Sequence, residues 1–378
     1  MVLMDKTLSL VDRRTHMKKT ILFMMIFLVC MKLVTIKVYA KEEKKGGFTD
    51  TSSNYIYEIT PKSDKWAELN HGERVEFSQI PNDEMTKMNT MELARAVLDY
   101  PCFCDLLFYD DVQNGFLTVA EHFNGLKELL SRDDAGTNLL LWYLSNTKNL
   151  YKADAEDIDD INKALKIYYA EIILAQPDIL QNMNSKELQE LNSIMSFNYE
   201  KRKKNKIDFP SYSGFYDVTN KVSAEKTSNR AYVQTPKGSY VYVDVITGED
   251  IYYNSKETLA QIIECNYPGA VVVGDATNRY NCHSYAWALR NDVWMCDPSA
   301  YWTDGSYTLR CYNSPSAIGQ VIYYPNLGDT HSGRVVSLTG NMIRSKWGPQ
   351  SLVLHSVTNC PYFYIPLQVQ FYNLYTIP

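Results

Sequence analysis

Two short segments in the last hundred residues carry the side-chain types that nucleophilic chemistry needs. The first, Tyr280-Asn281-Cys282-His283-Ser284-Tyr285-Ala286-Trp287-Ala288-Leu289, opens a stretch of helical propensity on a cysteine, after the polar loop from Asp275 to Asn281. The second, Asp329-Thr330-His331-Ser332-Gly333-Arg334-Val335-Val336, opens a β-type run on a histidine. A cysteine at a helix N-terminus meets unpaired backbone N–H groups and the positive end of the helix dipole, which favour the thiolate. His331 is the expected partner, taking the thiol proton and returning it to a leaving amine. A third polar group would orient the imidazole. Asn281 or Tyr280 could join the Cys282 backbone N–H in holding the oxyanion of a tetrahedral intermediate. Phosphate loops, Rossmann glycine patterns, His-Glu-x-x-His and the Gly-x-Ser-x-Gly elbow are absent from the sequence, and no cofactor is expected.

The same residues have plainer uses. Cys282 could be a structural or disulfide cysteine. His283 reads as a surface or structural residue rather than a second base, because neighbours in a helix point about 100° apart. A zinc site from Cys282, Cys296, His331 and His355 has no pair at close ligand spacing. Trp287, Trp294 and Trp302 suit either a substrate groove or a core. Asp304-Gly305-Ser306-Tyr307 reads as a turn.

The elements that must hold these residues follow from composition and periodicity. The chain has 378 residues, 45% of them hydrophobic and 22% charged, which is globular arithmetic and leaves room for about two domains. Residues 1–40 read as a leader and secretory signal: Lys18-Lys19, the apolar run from Ile21 to Met31, and a small residue, Ala40, at the cleavage point. An uncleaved anchor is the other reading, although the uncharged run falls well short of the ~20 residues a bilayer requires. Removing residues 1–40 changes the net charge from −6 to −11, with 31 basic and 42 acidic side chains left. Such a chain has no electrostatic footprint for nucleic acid, and it would meet a membrane only through the signal segment. Of eight cysteines, Cys30 falls in the signal, leaving seven; if six of these pair, one thiol remains over for Cys282.

Residues 41–80 read as a polar leader or linker, with mixed signals from Tyr55 to Ile80. Residues 81–205 read as a helical domain. Asn89 and Glu92 form a capping box, further helices are expected over 117–130, 133–144 and 185–197, and Ile158, Ile161, Leu165, Tyr168 and Ile172 keep a helical stripe. His122, Cys102 and Cys104 are the reactive types in this domain, and a lone helical histidine reads as structural. Lys201-Arg202-Lys203-Lys204 reads as a solvated C-terminal turn. Its protein partner, if any, is not specified by the sequence. After a linker at 206–229, residues 230–378 alternate as β-structure: Ser239 to Val243, Gln320 to Tyr324, His331 to Leu338, Leu352 to Ser356 and the apolar stretch Tyr362 to Tyr375 are the expected strands, with a helix from Asn254 to Ile263. The fold class is therefore α+β, helical first and then an antiparallel sheet.

A cysteine at a helix start, a histidine about fifty residues on at the head of a strand, and a following partner strand together resemble the circularly permuted papain-like cysteine peptidases and amidases of the NlpC and CHAP types. The resemblance covers residues 230–378 and rests on Asn281-Cys282-His283-Ser284-Tyr285 and His331-Ser332-Gly333. It implies an exported bacterial hydrolase that cuts a peptide or amide bond, with peptide or cell-wall material as substrate. It also implies a third residue on the strand Met342-Ile343-Arg344-Ser345-Lys346-Trp347-Gly348, where Ser345 falls nearest the expected place and His355 is the rival. The reading from another class is a secreted, non-catalytic surface-binding protein that uses the papain-like fold as a scaffold.

Overall fold

The computed structural model describes residues 55–147, 158–205, 213–219, 228–248, 250–251, 253–326, 330–365 and 367–375. The expected signal segment lies outside the described residues. Residues 54–378 form one compact unit, and 47% of the described residues are helical and 18% strand, an α+β architecture with antiparallel sheets.

Local chemistry starts the helices. The Asn89 side chain accepts from the Glu92 backbone N–H, and Glu92 accepts from the Asn89 N–H, both at 2.9 Å, at the head of helix Thr90–Leu98. An equivalent box, Asn70 with Glu73, opens helix His71–Phe77. The expected leader over 41–80 is therefore folded in its described part: helices Asp64–Glu68 and His71–Phe77 bury Trp66, and Ile80 follows in the core. Elements of five and seven residues are too short to display a period. The single helix expected over 117–130 is two, Val112–His122 and Asn124–Ser131. They are broken at Phe123, whose extended backbone lets its ring stack on Tyr100 at 3.8 Å between centroids. Helix Ile158–Leu174 buries Ile161, Leu165, Tyr168 and Ile172, as the stripe predicts. Helix Ser185–Asn205 outruns its expected end, and its basic run is not wholly solvated. Arg202 pairs with the fully buried Glu171, which also accepts from Tyr143 Oη and the Gly214 N–H.

Strands β1 (Ser228–Gln234) and β2 (Tyr240–Ile246) form a hairpin. The main sheet comprises β3 (Val271–Gly274), β4 (Tyr307–Tyr312), β5 (Val321–Tyr324), β6 (His331–Ser337), β7 (Met342–Lys346), β8 (Leu352–Ser356) and β9 (Gln370–Leu374). Its order is β3-β8-β7-β6-β5-β9-β4 and every described pairing is antiparallel. Among the described residues of the apolar stretch from Tyr362 to Tyr375, only β9 is a strand. Tyr362 and Tyr364 instead turn their rings inward, where Tyr364 stacks on His122 at 3.9 Å and fixes that histidine as a structural residue.

Both faces of the central strands are covered. On one, Ile322, Tyr324, Val335, Ile343, Val353 and Phe371 join a core that also contains Leu93, Phe108 and Tyr143 of the helical segment. On the other, Val321 and Tyr372 pack with Ala286, Trp287, Tyr301 and the hairpin residues Val241 and Val243. The helical segment and the β segment thus share the first of these two clusters. Polar ties cross the same boundary. Trp66 Nε1 donates to Asn266 O at 2.8 Å, Gln350 Nε2 to Leu107 O at 2.9 Å, and Arg74 Nη1 to Asn359 Oδ1 at 2.8 Å. Among the described residues no helix is long and apolar enough to cross a membrane.

The turn after β7 also makes a close approach across this boundary. Gly348 holds φ at 51°, and a Cβ there would collide with the backbone carbonyls of Tyr109 and Phe108. Gly348→Ala combines a left-handed backbone with that clash and should lower unfolding free energy by at least about 2 kcal/mol. Urea denaturation monitored by tryptophan fluorescence checks this, and an unchanged midpoint would show that the turn yields.

Candidate active site

Asn281 caps the helical turn that begins at Cys282. Its Oδ1 accepts from the Ser284 N–H at 3.3 Å, and Ser284 Oγ donates to the Asn281 carbonyl at 3.0 Å. The turn continues as the π-helical segment Ser284–Ala288 and stops at Leu289, whose φ is 56°. Cys282 therefore occupies the first turn, where backbone N–H groups lack intrahelical partners. The helix lies across β6: His283 Nδ1 and Trp287 Nε1 both reach Ser332 Oγ, at 2.9 and 2.8 Å, and Arg334 Nη1 donates to Ala286 O at 2.8 Å.

Strand pairing determines what lies beneath Cys282. Tyr323 pairs with Ser332, and Gly333 with Ser345, so Tyr323, Ser332 and Lys346 form a row across β5, β6 and β7 on the helix face. The charge of Cys282 acts on the titration of both Tyr323 and Lys346, the two ends of that row. Lys346 is wholly buried. Its Nζ donates to Thr277 O at 3.0 Å and to Gly348 O at 2.9 Å, and stands 5.0 Å from the centroid of the Tyr280 ring. Burial pulls this ammonium down to about 7, against the opposing pull of Asp110, Cys282 and Asp250. A neutral amine with two N–H bonds engaged by carbonyls keeps one lone pair, and a buried lysine of this kind can act as a general base.

His331 and Ser345 are elsewhere. Successive side chains of a strand point to opposite faces, so His331 projects away from the face on which Ser332 meets the Cys282 helix. Its ring stacks on Tyr362 at 3.8 Å between centroids, neither ring nitrogen has a hydrogen-bond partner, and burial drives its pKa well below the ordinary imidazole value. The structure does not bring Cys282 and His331 together as a dyad. It does place Ser345 on the face of His331, but the Ser345 hydroxyl is 2.7 Å from His355 Nε2 and accepts from Trp347 Nε1 at 3.1 Å. His355 Nδ1 lies 2.8 Å from Ser356 O, so that nitrogen carries the proton and Nε2 accepts from Ser345. Ser345 thus orients His355, not His331. Burial lowers His355 to about 4, and His283 likewise. His283 is held between Ser332 and Thr330 Oγ1, the latter 3.1 Å from Nε2, in keeping with its structural reading.

The remaining expectations divide in the same way. Asn281 cannot serve an oxyanion through its side chain, because Nδ2 already donates to Asp110 Oδ2 and to Met295 O, each at 2.8 Å. The Tyr280 hydroxyl is the donor left for that role. Burial raises it to about 12, so it keeps its proton. The zinc set Cys282, Cys296, His331 and His355 is not assembled: Cys296 is exposed, and Cys282 and His331 belong to opposite faces of the sheet. Trp287 is packed in the second core and Trp294 is buried, so these rings are not a groove. The seven described cysteines are all thiols, so the expected pairing of six is absent and the odd count says nothing about Cys282. Lys346 went unnoticed in the sequence because spacing pointed to its neighbour Ser345; extending the alternation of β6 into β7 would have found it. No family model, curated protein or solved structure matches this chain.

If Lys346 and Cys282 share a proton, the pair loses it near pH 7, and the thiolate becomes available above that value. Iodoacetamide labelling of the Cys282 peptide, followed by mass spectrometry, should rise with pH about a midpoint near 7. In Lys346→Met the rise should move to the thiol's own range, at or above about 8.5. An identical profile in both proteins would separate the two groups.

Proposed function

We propose that the chain is an exported cysteine hydrolase that cleaves a peptide or amide bond, with residues 230–378 forming a circularly permuted papain-like unit. The observation that carries the reading is Cys282 at the head of a helix laid across the central strand of an antiparallel sheet, over a row that ends on a buried lysine. The order helix, then β5 to β8, agrees with the resemblance of the sequence to NlpC-type and CHAP-type enzymes. The signal-like residues 17–40 and the acidic remainder of the chain agree with export and with an uncharged amide substrate, for which bacterial cell-wall peptide is the leading class.

In this mechanism neutral Lys346 takes the Cys282 proton, and the thiolate attacks the amide carbonyl. The oxyanion is held by the Cys282 backbone N–H and the Tyr280 hydroxyl. The Lys346 ammonium then protonates the leaving amine, and water activated by the regenerated amine releases the acyl group from sulfur. His331, His283 and His355 are buried core residues.

The scaffold reading has one specific observation in its favour. Cys282 is only 1% exposed, so a substrate must displace Tyr280 or the loop before Cys282 to reach it. A cleft of about 440 Å³ lined by Tyr232, Gln234, Tyr240 and Arg290 opens at the far end of the same helix and would serve either a substrate or a surface ligand.

Incubation with cell-wall muropeptides, read by mass spectrometry, distinguishes the two. The wild type should release a new amine, Cys282→Ala none while keeping its circular dichroism spectrum, and Lys346→Met about 10²-fold less. Undiminished release by Cys282→Ala would overturn the hydrolase reading, and an inert wild type would leave the scaffold.

A further inference from the structure

Three side chains that the proposed chemistry does not use converge inside the helical segment. His71 begins helix His71–Phe77, Cys102 immediately precedes the 3₁₀ helix Phe103–Phe108, and Asp105 lies within it. The Asp105 N–H donates to Cys102 O at 3.1 Å, closing a turn in which residues three apart project from one side. One ligand atom from each of the three residues lies within 4.8 Å of the other two, and all three residues are at most 2% exposed.

The geometry between them is not that of an ordinary hydrogen-bonded pair. His71 Nε2 stands 3.3 Å from Asp105 Oδ2, yet it has no hydrogen-bond partner and no access to solvent. The two atoms are close enough to share a ligand without being hydrogen-bonded to each other. The ring is held there by the rings around it, edge-on to Tyr364 at 5.2 Å and stacked on Tyr267 at 5.7 Å. Asp105 is also held, since the Tyr267 hydroxyl donates to Oδ1 and leaves Oδ2 for the cluster. Outer partners that orient a ligand in this way are a recurring feature of metal sites.

From these observations we propose that His71, Cys102 and Asp105 bind one structural transition-metal ion of the zinc type. A nitrogen, a thiolate sulfur and a carboxylate oxygen suit zinc, whose bonds of about 2.0 to 2.3 Å set ligand-to-ligand edges of roughly 3.3 to 3.7 Å in a tetrahedron. The His71 to Asp105 edge already has that length. Cys102 closes the remaining edges by a side-chain rotation; the hydrated ion sheds its water on entry, and the displaced water carries off the Cys102 thiol proton and the Asp105 carboxyl proton, so that both bind as anions. The ion would clamp the first helices to the 3₁₀ turn, beneath the Tyr267 and Tyr364 rings of the β segment.

The test uses the full chain carrying Cys282→Ala, so that no metal can be held at the candidate nucleophile. After chelation, dialysis against zinc and removal of free metal, elemental analysis should find about one zinc per chain. Cobalt should give a sulfur-to-metal charge-transfer band that saturates near one equivalent. Cys102→Ser should abolish the band, and His71→Gln should weaken binding at least tenfold. Should either variant fail to fold, the cobalt titration of the parent decides alone. Absence of the band, zinc well below one per chain, or full retention of metal by a folded Cys102→Ser variant would overturn the proposal.

Discussion

The central strands of the sheet are buried on both faces, and a strand sends successive side chains to opposite faces. These two facts together govern the rest of the molecule. At β6 one face meets the helix that begins at Cys282, and the other meets the core of the helical segment. Moving one residue along β6, from His331 to Ser332, exchanges one environment for the other. The same step along β7 exchanges Ser345 for Lys346. Because both environments are closed, neither side chain can swing to the other side.

Burial on both faces also explains the electrostatics. A solvated lysine or histidine would titrate in its usual range, but here water is replaced by packed rings, so the charged forms are penalised and Lys346, His283, His331 and His355 are all lowered. The neutral histidines behave as polar members of the core. His355 is linked to Ser345 and the Ser356 carbonyl, His283 to two hydroxyls, and His331 only to ring faces. Lys346 differs because two carbonyls hold its amine in place.

The helical segment contributes the cover on one face of the sheet. Arg74 shows how closely the two are joined. Its guanidinium donates to Trp66 O and Asn359 Oδ1 and lies over the Trp66 and Tyr267 rings, so one buried cation draws on helix, loop and sheet-side residues at once. Residues that read as a leader and a helical domain in sequence are in this way one wall of the core against which β5 to β8 are pressed.

Sequence alone determined what depends on near neighbours. The capping box of Asn89 and Glu92, the stripe from Ile161 to Ile172, the helical start at Cys282 and strands such as Leu352–Ser356 all follow from contacts within a few residues, where periodicity and capping chemistry are written directly into the chain. Tertiary structure alone decided which side chains meet across elements. Whether His331 or Lys346 faces Cys282 depends on the face each strand turns to a helix some fifty residues away in sequence. Whether Tyr362 belongs to a strand or stacks on a histidine depends on the core that the helical segment shares with the sheet. Register and burial are properties of the assembled sheet, and a spacing of residues along one chain does not contain them.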